Sequence, residues 1–178
     1  MEYLRKMRGG GESPPRVRAA EILWSWVGAL IGIAAIAAIH YHTLAGTGLI
    51  LAIGSFGASA VLVYGAVRSP LAQPRNLVGG HVVSAAIGVA AYRLLGGEGW
   101  AAASVAVATA IAAMHATKTL HPPGGATALI AVIGGESVHR LGFLYVLCPA
   151  AAGALVLLAV GLVVNNIPKG RRYPEFWL

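Results

Sequence analysis

The chain has 178 residues, 57% of them hydrophobic and only 11% charged, with a mean hydropathy of +0.73. A soluble domain carries about 25% charged residues, so this composition excludes a water-soluble fold and makes the bilayer the solvent that selected these side chains. The formal charge of +7 comes from thirteen Lys and Arg against six Glu and no Asp. These basic residues sit at the ends and connections of apolar segments, where they orient spans rather than bind nucleic acid.

Residues 1–18 read as a flexible basic tail, 19–168 as one transmembrane domain and 169–178 as a basic C-terminal tail. The first apolar stretch has no small-residue cleavage site after it and is expected to stay as a span. Six apolar segments follow in order, at 22–39, 44–67, 77–92, 100–115, 123–135 and 141–165. The second and sixth are long enough to cross, since about 20 helical residues cover the hydrocarbon core. The fifth is short, and its irregular start is tolerable only inside protein or beside a water-filled cavity.

The expected fold is an all-α polytopic membrane helix bundle of about six segments. If all six cross, one side collects Arg5, Lys6, Arg8, Arg16, Arg18, Arg68, Arg75, Lys118, Lys169, Arg171 and Arg172. The other side keeps Arg93 and Arg140, near Glu98 and Glu136. Eleven against two is a strong positive-inside bias, whereas a four-span path with segments two and five re-entrant weakens it to nine against four. Both termini are therefore expected in the cytoplasm, with a prokaryotic inner or plasma membrane as the location. Trp24, Trp26, Trp100 and Trp177 lie near segment ends, as interfacial anchors do.

"GASAVLVYG" from Gly57 and "GATALIAVIG" from Gly125 share a Gly-Ala-Ser/Thr-Ala start before an apolar half-helix. Segments one to three then repeat as four to six with opposite orientation, a 3+3 inverted arrangement that places a site near the midplane. Chance similarity between Ala-rich segments competes with this reading.

The stretch "HPPGGAT" at residues 121–127 carries the sharpest signal. Pro122 and Pro123 end an incoming helix yet suit the first turn of a new one. Gly124 and Gly125 leave the backbone uncovered and Thr127 adds a hydroxyl, so the helix start is expected to present N–H groups and a positive dipole end to a small anion. In segment two, Ser55, Gly57 and Ser59 supply the matching feature, against the simpler reading of small residues that let helices pack closely. No Glu is placed at mid-bilayer, which argues against a cation path built on acid rings.

His81, His115 and His121 fall within or at the margins of spans, and Gln73, Arg75, Asn76 and Lys118 cluster on the same side. An ionisable group in the membrane is a functional candidate, although Lys118 equally suits snorkelling to phosphates. His81 and His121 are candidate donors of a hydrogen bond or proton, and Arg75 with Asn76 would recruit anions at the mouth. A rival reading uses His81, His115 and His121 as copper or zinc ligands; another makes the chain a non-transporting sensor or assembly subunit. No enzyme motif and no cofactor motif is present. The expected partners are a small inorganic anion and membrane lipid, and a Gly- and Ala-rich bundle is suited to forming homo-oligomers.

Residues 54–89, with "SPLAQPRN" and "GGH", followed by "HPPGGATAL" at 121–129, resemble the HPP family of integral membrane proteins, which takes its name from that tripeptide. The resemblance runs from segment one to segment six. It maps the family's motifs onto Ser69, Pro70, Gln73, Pro74, Arg75, Asn76, Gly79, Gly80, His81, His121, Pro122, Pro123, Gly124, Gly125 and Thr127. The family is usually described with four spans, and some members carry CBS domains, which this chain lacks. Plastid and cyanobacterial members are implicated in nitrite transport, so the resemblance implies a transporter or channel for small monovalent anions, nitrite first.

Overall fold

A computed structural model of the chain describes residues 2–8, 10–97 and 99–178, and every regular element among them is helical. α1 (Glu2–Lys6) is one exposed turn in the basic tail. α2 (Ala19–Thr43), α4 (Pro74–Leu94) and α5 (Trp100–Ala116) are long, while α3 (Ser55–Ala60) continues into a wider π turn at Val61–Gly65. α6 (Pro122–Ile133) and the short α7 (Glu136–His139) lead to α8 (Ala152–Val164), which follows a π turn at Val146–Ala151 broken at Cys148. Three helical stretches, Ala19–Thr43, Pro74–Leu94 and Val146–Val164, are long and apolar enough to cross a membrane. The 12 residues of α6 rise about 18 Å against a hydrocarbon core of about 30 Å, so α6 is a half-helix, as is α3 with its π turn.

The connections alternate between two ends of the bundle. At one end the Arg171 Nε donates to Glu21 Oε2 at 2.8 Å, Arg68 Nη2 donates to Gly170 O at 3.1 Å and Asn76 Nδ2 donates to Leu120 O at 2.8 Å. At the other end Leu51 N–H donates to His40 Nδ1 at 3.2 Å, and Cys148 Sγ donates to Ile50 O at 3.2 Å. The Tyr92 and His139 rings stack there at 3.9 Å, and Arg93 lies over the Phe143 ring at 5.3 Å. Glu98, expected beside Arg93, lies outside the described residues. Arg18, Arg68, Lys118 and Arg171 all belong to the first end, as the charge pattern anticipates. The basic C-terminal tail, residues 169–178, packs in part against the first end. Arg171 and Tyr173 are buried, because each finds backbone carbonyls at the first end to satisfy its polar atoms.

The two halves are packed alike. α5, first helix of the second half, lies against α4, third of the first; α2, first helix of the first half, lies against α8, third of the second. Each half-helix is gripped in turn, α6 by α4 and α5, α3 with its π turn by α2 and α8. Small residues make this closeness possible, since lipid supplies no hydrophobic drive between helices and association depends on close packing. On α5, Ala102, Ala106 and Ala110 recur every fourth residue on one buried face. At Gly88 of α4 a Cβ would stand 2.6 Å from Ala128 O and 2.7 Å from Ala131 Cβ. Because the obstruction is backbone, Gly88→Val is expected to cost about 1–3 kcal/mol, read as a lower melting temperature in detergent; an unchanged melting temperature would contradict this packing.

Candidate functional site

Where α3, α4 and α6 meet, five polar side chains are sealed from solvent. Ser55, Ser59, His81, His121 and Thr127 are each exposed by 1% or less. The His81 Nε2 lies 2.7 Å from Ser59 Oγ, and its Nδ1 lies 2.7 Å from Thr127 Oγ1. Ser59 Oγ is also 2.9 Å from His121 Nε2, and His121 Nδ1 donates to Leu71 O at 2.8 Å. The hydroxyls of Thr127 and Ser55 share a further hydrogen bond of 2.9 Å. The two imidazoles meet edge-on at 5.1 Å between centroids, and the Phe56 ring stands 5.0 Å from His81.

The local sequence explains each position. Ser55 and Ser59 are four apart on α3, so they share one face. His121 caps α6 with extended backbone, φ −141° and ψ 105°, because the residue before a proline is pushed out of the helical region. Its ring therefore reaches sideways to Ser59. A Cβ at Gly80 would stand 2.5 Å from the His121 Cβ and 2.9 Å from Thr119 O. One at Gly124 would stand 2.7 Å from Ser84 Oγ and 2.9 Å from Gly80 O. The glycines before His81 and after Pro123 thus let α4 and α6 approach until the two histidines face one hydroxyl. In the repeat alignment of "GASA" with "GATA", Ser59 and Thr127 are equivalent, and these two hydroxyls hold the two nitrogens of His81. The pairs Ser59–His121 and Ser55–Thr127 show that α3 and α6 run antiparallel with their first turns side by side.

One expectation is corrected. The start of α6 offers few bare N–H groups: Pro122 and Pro123 have none, and Gly124 N–H is bonded back to His121 O at 2.8 Å. The donors at this site are hydroxyls and imidazoles instead. Gly57 and Pro122 are exposed, and Gly125 is half-buried. Pro122 and Gly125 line an apolar groove of about 600 Å³ together with His115, Leu120 and Leu129. His115 is exposed in that groove and does not join His81 and His121, and no cluster of three or more His, Cys, Asp or Glu occurs among the described residues. Asn76 is buried and anchors the α5–α6 connection, while Arg75 Nε and Asn76 Oδ1 are buried without a hydrogen-bond partner.

Sequence reasoning missed the Leu71 carbonyl and the brace behind it. Gln73 Nε2 donates to Val67 O at 3.0 Å and Ser69 O at 2.8 Å, and its Oε1 accepts from Glu175 N–H at 2.8 Å. Tyr173 Oη donates to Ala72 O at 2.9 Å. The 3-10 turn Pro70–Ala72, which ends the chain of hydrogen bonds, is thereby clamped from outside by the C-terminal segment. Tyr145 Oη likewise braces α6 by donating to Thr127 O at 3.1 Å.

Comparison with known proteins places this architecture. The chain is 47% identical over 180 residues to one transmembrane protein of Dictyostelium discoideum, an overlap that takes in 99% of this chain and 58% of the relative. To a second transmembrane protein of that organism it is 42% identical over 182 residues, covering 99% of this chain and 64% of the relative. The chain thus spans about three fifths of the length of these curated relatives. Both are eukaryotic, and they lend no support to a prokaryotic membrane. No solved structure matches. The family model described as "HPP, transmembrane region" matches residues 14–174, which include every residue of the site. This is a membrane protein, and it belongs to the HPP transmembrane family.

Proposed function

We propose that the chain moves a small monovalent anion, nitrite first, across the membrane through the crossing of α3 and α6. The observation that carries this reading is the sealed set of hydroxyls and imidazoles between two antiparallel half-helices, with no carboxylate among its members. Polar groups in the membrane interior are expensive and are retained for function. The first turns of both half-helices lie at this crossing, so two positive dipole ends reinforce each other there. Such a site disfavours cations and suits an anion that accepts hydrogen bonds in place of the ones the side chains now make to each other.

The arrangement corresponds to a closed state, since the side chains satisfy one another. In this reading the anion enters from the basic end, where buried Arg75 Nε has an unmet donor, and displaces the bonds around Ser59. The site carries no fixed counter-charge, so the anion is accompanied by a proton taken up on an imidazole. Whole-protein activity in the longer relatives is a separate matter, because they extend well beyond this region.

The test is flux into vesicles reconstituted with the purified chain, offering nitrite, nitrate, formate and chloride in turn. Nitrite or formate uptake above that of protein-free vesicles is the expected outcome. Uptake of none of the four would exclude anion transport and favour a sensor or assembly role.

A further inference from the structure

We infer that four of the buried side chains, Thr127, His81, Ser59 and His121, form a directed proton relay whose polarity is set by the Leu71 carbonyl. The inference rests on the reading of this site as a transport path and assigns it a second cargo.

The direction follows from counting hydrogens. A carbonyl oxygen only accepts, so His121 carries its proton on Nδ1, toward Leu71 O at 2.8 Å. With no carboxylate in contact, even one charged imidazole would be buried without compensation, and a second 5.1 Å away would repel it, so the resting state has both rings neutral. His121 Nε2 is then an acceptor, and the Ser59 hydroxyl donates to it at 2.9 Å. Ser59 has one hydrogen, so at the 2.7 Å contact His81 Nε2 must be the donor. His81 Nδ1 is then bare and accepts from the Thr127 hydroxyl at 2.7 Å. The competing acceptors, Ser55 Oγ at 2.9 Å and Pro123 O at 3.2 Å from Thr127 and Ser55 O at 3.3 Å from Ser59, are longer and lose. Every donor points from Thr127 toward Leu71.

A proton arriving at Thr127 Oγ1 is passed on by moving one hydrogen per contact. Thr127 gives its hydrogen to His81 Nδ1, His81 its Nε2–H to Ser59, and Ser59 its hydrogen to His121 Nε2. His121 then releases its Nδ1 hydrogen to water. One proton enters and one leaves, with each O–H or N–H broken balanced by one formed. Release requires the Pro70–Ala72 turn to swing off His121, because a carbonyl cannot carry the proton onward; the turn is therefore the gate.

Two measurements test this. In ¹⁵N-histidine-labelled protein in lipid at neutral pH, NMR is expected to find His121 protonated on Nδ1 and His81 on Nε2; either ring in the opposite tautomer would overturn the relay. In vesicles holding a pH dye, proton and nitrite entry are followed together, with protein-free vesicles as the baseline. Ser59→Ala is expected to abolish protein-dependent proton entry and Ser59→Thr to keep it. Wild-type nitrite uptake with no accompanying proton overturns the relay and spares the anion path, as does unimpaired proton entry through Ser59→Ala. Proton entry without nitrite uptake supports the relay and removes the anion.

Discussion

Replacing His81 with leucine is expected to lower nitrite flux in reconstituted vesicles to the protein-free level while leaving a folded protein. Among the described residues, His81 is the one side chain hydrogen-bonded to both repeat-equivalent hydroxyls, Ser59 and Thr127, at 2.7 Å each. Leucine fills much of the same volume but joins nothing. Two buried hydrogen bonds are lost, at about 1–3 kcal/mol for each group left unsatisfied. The hydroxyls are not stranded, however: Ser59 keeps His121 and Ser55 O within reach, and Thr127 keeps Ser55 Oγ and Pro123 O. The stability loss therefore falls at the low end of that range, while the link between α3 and α6 through α4 is cut. Parallel melting curves and flux measurements check both halves of the statement. Normal flux with leucine at this position would contradict the role given to the imidazole.

Arg171→Leu is expected to do the reverse, unfolding the first end of the bundle. The Arg171 side chain is 3% exposed and donates through all three nitrogens. Nε reaches Glu21 Oε2 at 2.8 Å; Nη1 reaches Tyr64 O at 3.2 Å and Asn165 Oδ1 at 3.3 Å; Nη2 reaches Glu21 O at 2.8 Å and Ser25 Oγ at 2.9 Å. One planar fork ties α2, the turn after α3 and the end of α8 together. Removing one partner of a buried pair costs about 3–5 kcal/mol, and because the Glu21 side chain is 31% exposed the loss is expected near the lower figure. Arg171→Lys keeps the charge without the fork and should recover only part of the stability. Denaturation in detergent reads the order wild type, Lys, Leu. Because the same segment clamps the Pro70–Ala72 turn through Tyr173 and Glu175, the leucine variant also frees the gate.

The helical fold and the broken fifth segment were legible because each has a local cause. Hydropathy marks the segments, and a doubled proline can start a helix but not continue one. The shared "GASA" and "GATA" pointed to Ser59 and Thr127, and the histidines stood out as polar groups in apolar runs. What escaped was long-range or carried by backbone. The acceptor of His121 is the carbonyl of Leu71, 50 residues away, and a carbonyl has no residue identity to read. Arg171 looked like one more charge in a tail, and only its buried partners, up to 150 residues distant, give it a structural role. The amide-lined anion site failed for a local reason that was available: the prolines that start α6 also delete the donors such a site needs.

The central claim is that cargo passes Ser59. The direct measurement is flux through a single-cysteine protein, Ser59→Cys with Cys148→Ala, before and after treatment with a small charged thiol reagent. The account predicts modification at position 59 during turnover, slowed by nitrite, with flux lost in proportion to the fraction modified. Full flux through protein shown by mass spectrometry to be completely modified there would contradict it, and so would a transporting protein whose cysteine at 59 never reacts.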